Sequence, residues 1–333
     1  MRLAAPSQEP ARSIAPDRSR LFVFHFILDT HMQFFNTVVA HAIPWIPRAL
    51  VHKIARRYIA GDDLAAAVQR IRQLNAQGYS VTVDVLGETV STLAQAEETA
   101  AEYLRILNAI HTHGLNASVS VKPSAMGLLL DAQRCEGLLE RILMSAHAKQ
   151  TSVCMDMEDV RCTQAQIALF QRLQSRHSNF SLALQAYLRR TYQDIETLVH
   201  AHSMLRLCKG IYREDPSHLV DDAGRDRTAI NPHFLAHLTR CFETDSFVAI
   251  ATHDKALVEQ SIILAEGRSI DRSRFEFQML LGVCEPQRDW LLAQGFGVRI
   301  YVPYGRDWYG YSTRRLKENP SIAGHILRAM LGR

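Results

Sequence analysis

The residues best suited to chemistry in this chain are polar side chains that close short apolar runs. In order they are Asp84 and Glu88, Lys122, Asp156 and Glu158, Gln185 and Tyr187, Arg206 and Lys209, Thr252 and His253, Gln278, and Tyr301. Each buried polar group must be paired or hydrated, so this many at the ends of apolar runs points to one shared pocket. One or two of them serve equally well as internal ion pairs. Beyond Tyr301, the stretch RIYVPYGRDWYGYSTRRLKENP (299–320) carries Arg314, Arg315 and Glu318. Two adjacent guanidiniums beside a strand-end tyrosine make a clamp for a small carboxylate, because each planar fork donates two parallel hydrogen bonds to an anion. The same spacing suits an ordinary Arg314–Glu318 pair on a solvated helix face, worth about a few tenths of a kcal/mol. Spacing alone favours the ordinary pair, and only the rest of the chain can overturn it.

The elements that must position these residues alternate without a break. Strand patterns lie at 80–86, 117–122, 152–157, 180–187, 204–209, 247–252, 274–279 and 297–302. Helical patterns lie between them at 91–113, 125–148, 161–176, 190–201, 232–243, 254–265 and 285–294, with 306–318 after the last strand. In the last strand Ile300 and Val302 share one face and Arg299 and Tyr301 the other. Pro303 and Gly305 are expected to stop it, and Asp307 to cap the helix that ends before Pro320. A further helical pattern, from Val51 to Gln77, ends at Gly78. Eight strand–helix units argue for parallel strands with helical crossovers, and eight is the number that closes a barrel. The expected fold class is therefore α/β, a distorted (β/α)8 TIM-like barrel over 79–325, preceded by an N-terminal helical segment at 21–78 and a disordered arm at 1–20. A doubly wound open sheet is the alternative, but the turn after the first strand reads LGETV, without GxGxxG. The long connection 210–231 is charged and irregular, and loops of that length are functional or mobile as a rule.

Composition bounds the rest. With 333 residues, 47% apolar and 22% charged, the chain reads as globular. The net charge of +4 is small, and no basic block alternates with aromatics, so nucleic acid is not an expected partner. The six cysteines form no CxxC pair and read as reduced core thiols of an intracellular, cytoplasmic protein. The first twenty residues lack an apolar signal region; being Arg-rich they resemble a transit peptide, although a disordered arm is the simpler reading. The segment 21–50 is very apolar and aromatic. It is expected to cover the main domain, with peripheral contact to the inner membrane as the weaker alternative. His111 with His113, and His200 with His202, have the spacing of metal-ligand pairs, but His111 and His113 fall at a helix end rather than on the first strand, where such a site would need them, and no metal is expected. No nucleophile elbow and no phosphate-binding lysine loop is present.

Eight short stretches together resemble one family, the flavin-dependent proline dehydrogenases of the monofunctional bacterial type. They are VDVLGE (83–88), SVKPSAMGL (120–128), DMED (156–159), LQAYLRR (184–190), RLCKGIY (206–212), ATHD (251–254), EFQMLLGV (276–283) and the stretch 301–318. They run in the family's order and cover about residues 50–325 of the chain. The family's fold, a distorted (β/α)8 barrel with its last helix over the pocket, agrees with the alternation of elements.

The resemblance implies oxidation of L-proline to Δ1-pyrroline-5-carboxylate, with a hydride passing to N5 of non-covalent FAD and a quinone reoxidising the flavin. By motif it implies Arg314, Arg315 and Lys122 as the carboxylate clamp, supported by Glu318, with Asp156 pairing near Lys122. Tyr301 and Leu280 would pack on the proline ring, Tyr212 would reach the same pocket, and Glu88 would pair with the first clamp arginine when the site closes. Arg206 and Gln185 correspond to positions at the isoalloxazine, Arg206 near N5, and Lys209, Thr252 and His253 to other cofactor contacts. Three cations in a dry pocket fix a carboxylate and disfavour a protonated substrate amine, and an arginine near N5 stabilises negative charge arriving on the flavin. The chain departs from the family at Pro123, where leucine is expected, at Leu281, where an aromatic or histidine is common, and at Ile211, where a small residue is usual. These departures bear on substrate preference more than on reaction type. A hydroxyproline or other cyclic amino acid dehydrogenase, a non-catalytic flavin- or amino-acid-binding barrel, and a metal-dependent hydrolase are the competing readings.

Overall fold

Each of the eight apolar runs forms a strand: β1 (Ser80–Val85), β2 (Ala117–Val121), β3 (Val153–Met155), β4 (Phe180–Gln185), β5 (Met204–Cys208), β6 (Phe247–Ala251), β7 (Phe275–Leu280) and β8 (Val298–Tyr304). All neighbours pair in parallel and in sequence order, and β8 pairs back on β1 from Ser80↔Arg299 to Val85↔Tyr304. The sheet is a closed eight-stranded barrel, as the alternation of elements requires. The structure, a computed structural model, describes residues 51–52, 55–87, 90–200 and 202–318, without the side chains of 316–318. The expected arm 1–20, the segment 21–50 and the stretch 319–325 lie outside the described residues. The barrel belongs to the compact unit Arg48–Ser312, and the chain from Thr313 onward belongs to a second unit.

The helices are α1 (Leu64–Ala76), α2 (Leu93–Thr112), α3 (Ala132–Ala148), α4 (Val160–Gln174), α5 (Thr191–Leu198), α6 (Asn231–Glu243), α7 (Lys255–Gly267), α8 (Glu285–Ala293) and α9 (Trp308–Glu318). Side chains of Asp63, Asp131, Asp159 and Asp254 accept first-turn amides of α1, α3, α4 and α7. Thr92 and Gln95 form a reciprocal capping box on α2. Each such cap contributes about 1 kcal/mol and sets where its helix begins.

Several boundaries differ from the sequence expectation. The helix expected from 125 begins at Ala132, after a 3₁₀ turn at Pro123–Met126, and the strands expected at 152–157 and 180–187 are shorter. Two further differences have clear causes. The helix expected from Val51 to Gln77 is instead interrupted: Val51, His52 and Ala55 are helical, Gly61 (φ +146°) turns the chain, and Asp63 caps a new helix that starts at Leu64. Its end is as expected: the amides of Gly78 and Tyr79 return to Asn75 and Leu74 at 2.9 and 3.1 Å, the bonds of a glycine-terminated helix. Pro303 does not stop β8, which runs on to Tyr304 beside Asp84 and Val85. The alternation of the ladder explains this. Tyr304 O accepts from Leu86 on the β1 side, so Pro303 faces the β7 side, where β7 has already ended at Leu280. The missing proline N–H therefore leaves no ladder bond unfilled, and Pro303 O accepts from Ala60 N at 2.9 Å. Gly305 (φ +131°) makes the stop.

The connection 210–231 is more ordered than its composition indicates. Asp215 and Asp226 cap two short 3₁₀ turns, Pro216–His218 and Arg227–Ile230. A bridge from Leu188 to Leu219 and a bond from Val220 N to Tyr187 O (2.8 Å) strap the loop to the end of β4.

The strand period of two sorts the barrel into two faces. Val83, Val119, Leu182, Leu205 and Ile250 share one core with the helix residues Ile106, Ile142, Phe170 and Leu238. The alternate positions meet across the lumen and are largely polar, whereas such barrels as a rule fill this space with branched apolar side chains.

Candidate active site

The lumen is built from alternate residues of five strands together with Asp156, which directly follows β3. Thr82 and Asp84 come from β1, Ser118 and Ser120 from β2, and Lys122 directly follows β2. Arg206 comes from β5, Glu276 and Gln278 from β7, and Arg299 and Tyr301 from β8. In register, Arg206 has Ala183 of β4 and Ala249 of β6 as its neighbours, small residues that leave a guanidinium room.

Asp156 is the hub. Its Oδ1 accepts from Ser120 Oγ (2.7 Å) and Arg206 Nη1, and its Oδ2 accepts from the Tyr301 hydroxyl (2.7 Å). Lys122 Nζ stands 3.7 Å from Oδ2, donates to Asp84 Oδ1 and lies 3.4 Å from the Tyr301 oxygen. Arg206 continues the network downward, with Nε donating to Gln278 Oε1 at 2.6 Å. Three carboxylates, Asp84, Asp156 and Glu276, thus meet three cations, Lys122, Arg206 and Arg299. A buried network of this kind is tolerable only when its charges balance and its donors are matched.

The environment sets protonation. Burial alone would raise the Asp156 carboxyl, but Arg206 and then Lys122 override it and hold it below the usual carboxylate range. Burial pushes Asp84 up, against the pull of Lys122 and with the push of the neighbouring Asp156. Burial would likewise lower the Lys122 ammonium, but Asp84 and Asp156 reverse the sign and keep it charged. Burial, reinforced by Asp156, drives the Tyr301 phenol well above its ordinary value. Tyr301 is therefore a fixed donor, and Asp156 is a structural anion whose oxygens are already engaged.

A second cluster closes β4, β5 and β6. Gln185 Nε2 donates to Glu158 O at 2.9 Å, and the Glu158 side chain accepts from Ser124 N (3.0 Å), Ser124 Oγ and Gln166 Nε2 (2.9 Å). Glu158 thereby ties Gln185 to the 3₁₀ turn Pro123–Met126, which begins directly after Lys122. Pro123 fits as the first residue of that turn. Lys209 Nζ donates to Asp254 Oδ2 (2.6 Å) and Arg227 O (3.0 Å), locking β5 to the 3₁₀ turn Arg227–Ile230. Gly210 (φ +100°) lets the backbone pass Tyr187, whose ring a Cβ there would overlap. Thr252 is buried, and its Oγ1 accepts from Asp254 N at 3.2 Å. His253 Nε2 accepts from Leu280 N at 2.9 Å, so that nitrogen carries no proton. Leu280 and Tyr212 are half-buried, and Tyr212 O accepts from the Tyr187 hydroxyl at 3.3 Å.

The expected residues Lys122, Asp156, Tyr301 and Arg206 meet directly, while Gln185, Lys209, Thr252, His253, Leu280 and Tyr212 lie at neighbouring strand ends. Arg314 and Arg315 lie on α9 beyond Ser312, Arg314 exposed and Arg315 buried. Glu88 and the Glu318 side chain lie outside the described residues. Of the unusual residues, Leu281 is fully buried in the main apolar core, and Ile211 is 59% exposed. Sequence reading assigned no role to Ser120, Glu276 or Arg299, and noted Asp84 and Gln278 only as strand ends. The signal was the spacing of two in Ser118–Ser120–Lys122, Glu276–Gln278 and Arg299–Tyr301, polar residues repeating on one strand face. Among the described residues, no cluster of three metal-type ligands exists and no helix is long and apolar enough to cross a membrane.

The donor set fits a flavin. Arg206 within β5 and Lys209 directly after it, Gln185 at the end of β4 and Thr252 directly after β6 gather two cations, an amide and a hydroxyl on three adjacent strands, a set suited to a ring that gains negative charge. The barrel matches the fold of proline utilization A from Bdellovibrio bacteriovorus, with a TM-score of 0.74 at 21% identity over 80% of this chain. This chain spans about a third of that protein (33%). Proline dehydrogenase 2 of Bacillus subtilis strain 168 is 36% identical over 277 residues, covering 83% of this chain and 90% of that protein. Proline dehydrogenase of Deinococcus radiodurans is 30% identical over 293 residues, covering 86% and 93%. The proline dehydrogenase family profile matches residues 67–328, and with it the barrel and the strands that hold the polar lumen: the chain belongs to the proline dehydrogenase family.

Proposed function

We propose that this chain oxidises L-proline to Δ1-pyrroline-5-carboxylate, the first step of proline catabolism, using FAD as its flavin and a quinone as the final electron acceptor. The observation that carries the reading is the Asp156 hub, which brings Lys122, Arg206 and Tyr301 to one barrel mouth in a chain of this family. The flavin supplies a two-electron acceptor for the hydride on the ring carbon next to nitrogen. Gln185, Arg206, Lys209, Thr252 and His253 would hold it, with the Arg206 charge favouring the reduced ring. Lys122, kept charged by Asp84 and Asp156, offers the substrate carboxylate a fixed cation, and Arg314 and Arg315 complete the proposed clamp. Leu280 and Tyr301 form the apolar and aromatic wall for the ring, with Tyr212 beside it. The family resemblance adds Glu318 and Glu88 to the proposed substrate-site residues. Peripheral contact of segment 21–50 with the cytoplasmic face of a membrane would bring the protein to its quinone.

The test is the visible spectrum of purified protein before and after anaerobic L-proline. A yellow protein that bleaches, and that releases FAD on denaturation, supports the reading. A colourless protein, or a flavin that bleaches faster with trans-4-hydroxy-L-proline, overturns it.

A further inference from the structure

We propose that Glu276 is the positioning residue for Arg206, acting through Gln278 inside the barrel. The period of two on β7 turns both residues inward, and they are 9% and 8% exposed. Glu276 Oε1 accepts from Gln278 Nε2 at 2.7 Å and from Arg299 Nε at 2.6 Å. Gln278 Oε1 in turn accepts from Arg206 Nε at 2.6 Å. A carboxylate has no hydrogen to give, so it forces the Gln278 amine toward itself and the Gln278 carbonyl toward Arg206. Arg299 locks the carboxylate from below, with Nη1 donating to Val81 O (3.0 Å) and Ser118 Oγ (3.3 Å).

Arg206 is thereby held on two edges. Asp156 and Ser120 take Nη1 from the β2–β3 side, and Gln278 takes Nε from the β7 side. One anchor leaves a guanidinium free to swing about that bond, whereas two fix its plane. The register neighbours Ala183 and Ala249 bring no polar side chain that would replace the second anchor. Glu276 also places a second carboxylate two hydrogen bonds from Arg206, which offsets part of the positive field the arginine projects. That electrical consequence rests on the flavin reading above, but the positioning does not.

The experiment therefore has two readouts. Nitrogen-15 NMR of arginine side chains follows exchange of the Arg206 Nε–H with water, its resonance assigned by its loss in Arg206→Lys. Glu276→Gln is expected to speed that exchange about tenfold, and Glu276→Asp to restore it, since a tenfold change corresponds to the loss of one modest hydrogen bond. The exchange pair Glu276→Gln with Gln278→Glu keeps total charge constant and sets a carboxylate against Arg206, so exchange slows below the parent rate. This pair decides the matter if the single variant does not fold. In the flavin-loaded protein, the midpoint potential is expected to rise in Glu276→Gln by about 30 mV, a tenfold shift for a two-electron couple, and to fall below the parent in the exchange pair. Parent-like Nε–H exchange in both variants overturns the inference. Altered exchange in a protein that takes up no flavin leaves the positioning role standing and defeats the functional reading instead.

Discussion

The Tyr301 hydroxyl donates to Asp156 Oδ2 at 2.7 Å, joining the last strand of the barrel to the end of the third. The bond pins the phenol at one edge, so the face and opposite edge of the ring are what a substrate would meet. Tyr301→Phe keeps that surface and removes a hydrogen bond to a charged acceptor. A loss of about 1.5–3 kcal/mol in kcat/KM for L-proline is expected. Tyr301→Ser opens the ring's volume and should narrow or invert the ratio of kcat/KM between L-proline and trans-4-hydroxy-L-proline. Steady-state kinetics with both substrates checks this, and an unmoved ratio in the serine variant removes Tyr301 as the specificity wall.

Asp156 serves two cations at once, so its loss should be felt in stability and activity together. Asp156→Asn leaves Arg206 and Lys122 sharing less negative charge inside the lumen. Breaking a buried pair from one side costs about 3–5 kcal/mol. Urea denaturation of the parent and variant measures it, and a variant of parental stability contradicts the hub.

Arg315 is proposed as a fork for the substrate carboxylate. Arg315→Met retains most of the stem and removes the donors. A fall of about 2–5 kcal/mol in kcat/KM is expected, with KM carrying much of it. Kinetics within twofold of the parent would refute the clamp.

His237 on α6 provides a pH dependence that lies outside the barrel lumen. It is 1% exposed, and its ring packs 4.4 Å from that of Tyr192. Burial, and then the neighbouring His233, lower its pKa to about 4. The folded state therefore binds this proton more weakly than the unfolded chain, whose imidazole titrates near 6.5. The contribution to stability is full above about pH 6.5 and is lost as pH falls toward about 4, to a total of about 3 kcal/mol. His237→Phe should flatten that slope, as denaturation midpoints at about pH 7 and about pH 4.5 would reveal.

Gly210 follows Lys209 with φ +100° and packs against the Tyr187 ring. Gly210→Ala combines a strained backbone with overlap on that ring. A destabilisation of at least about 2 kcal/mol is expected, together with weakened flavin retention, since Lys209 and the 210–231 connection would have to shift. Denaturation curves and flavin content of the purified variant measure both.

The architecture was legible in the chain because each strand is a short apolar run and a helical pattern follows each one in unbroken alternation. Boundaries were less legible where a single residue's meaning depends on its neighbours. Pro303 stops an isolated strand but not one whose next strand has already ended on that side, and Gly61 breaks a helical pattern only in company with Asp63. Lys122 and Asp156 were legible as polar ends of apolar runs, and Arg206 and Tyr301, inside β5 and β8, were noted with them and matched by family motif. Ser120, Glu276 and Arg299, also inside or at the start of strands, were given no role. There an isolated polar residue reads as an ordinary solvent-facing position, and only barrel closure turns it inward. The place of Arg314 and Arg315 rests on family resemblance, since two arginines on a helix have no spacing that distinguishes a clamp from a solvated face.

Barrel closure has a consequence for biosynthesis. A ribosome delivers β1 first and β8 last, and β8 supplies both Arg299 and Tyr301. Until Val298–Tyr304 leaves the exit tunnel, Glu276 lacks Arg299, Asp156 lacks Tyr301, and β1 and β7 present open parallel edges. Open edges and uncompensated interior carboxylates are features that recruit neighbouring chains and delay docking. The nascent chain of seven strands is therefore the form whose edges and interior carboxylates are open to other chains, and arrival of β8 ends that exposure together with completing the polar lumen.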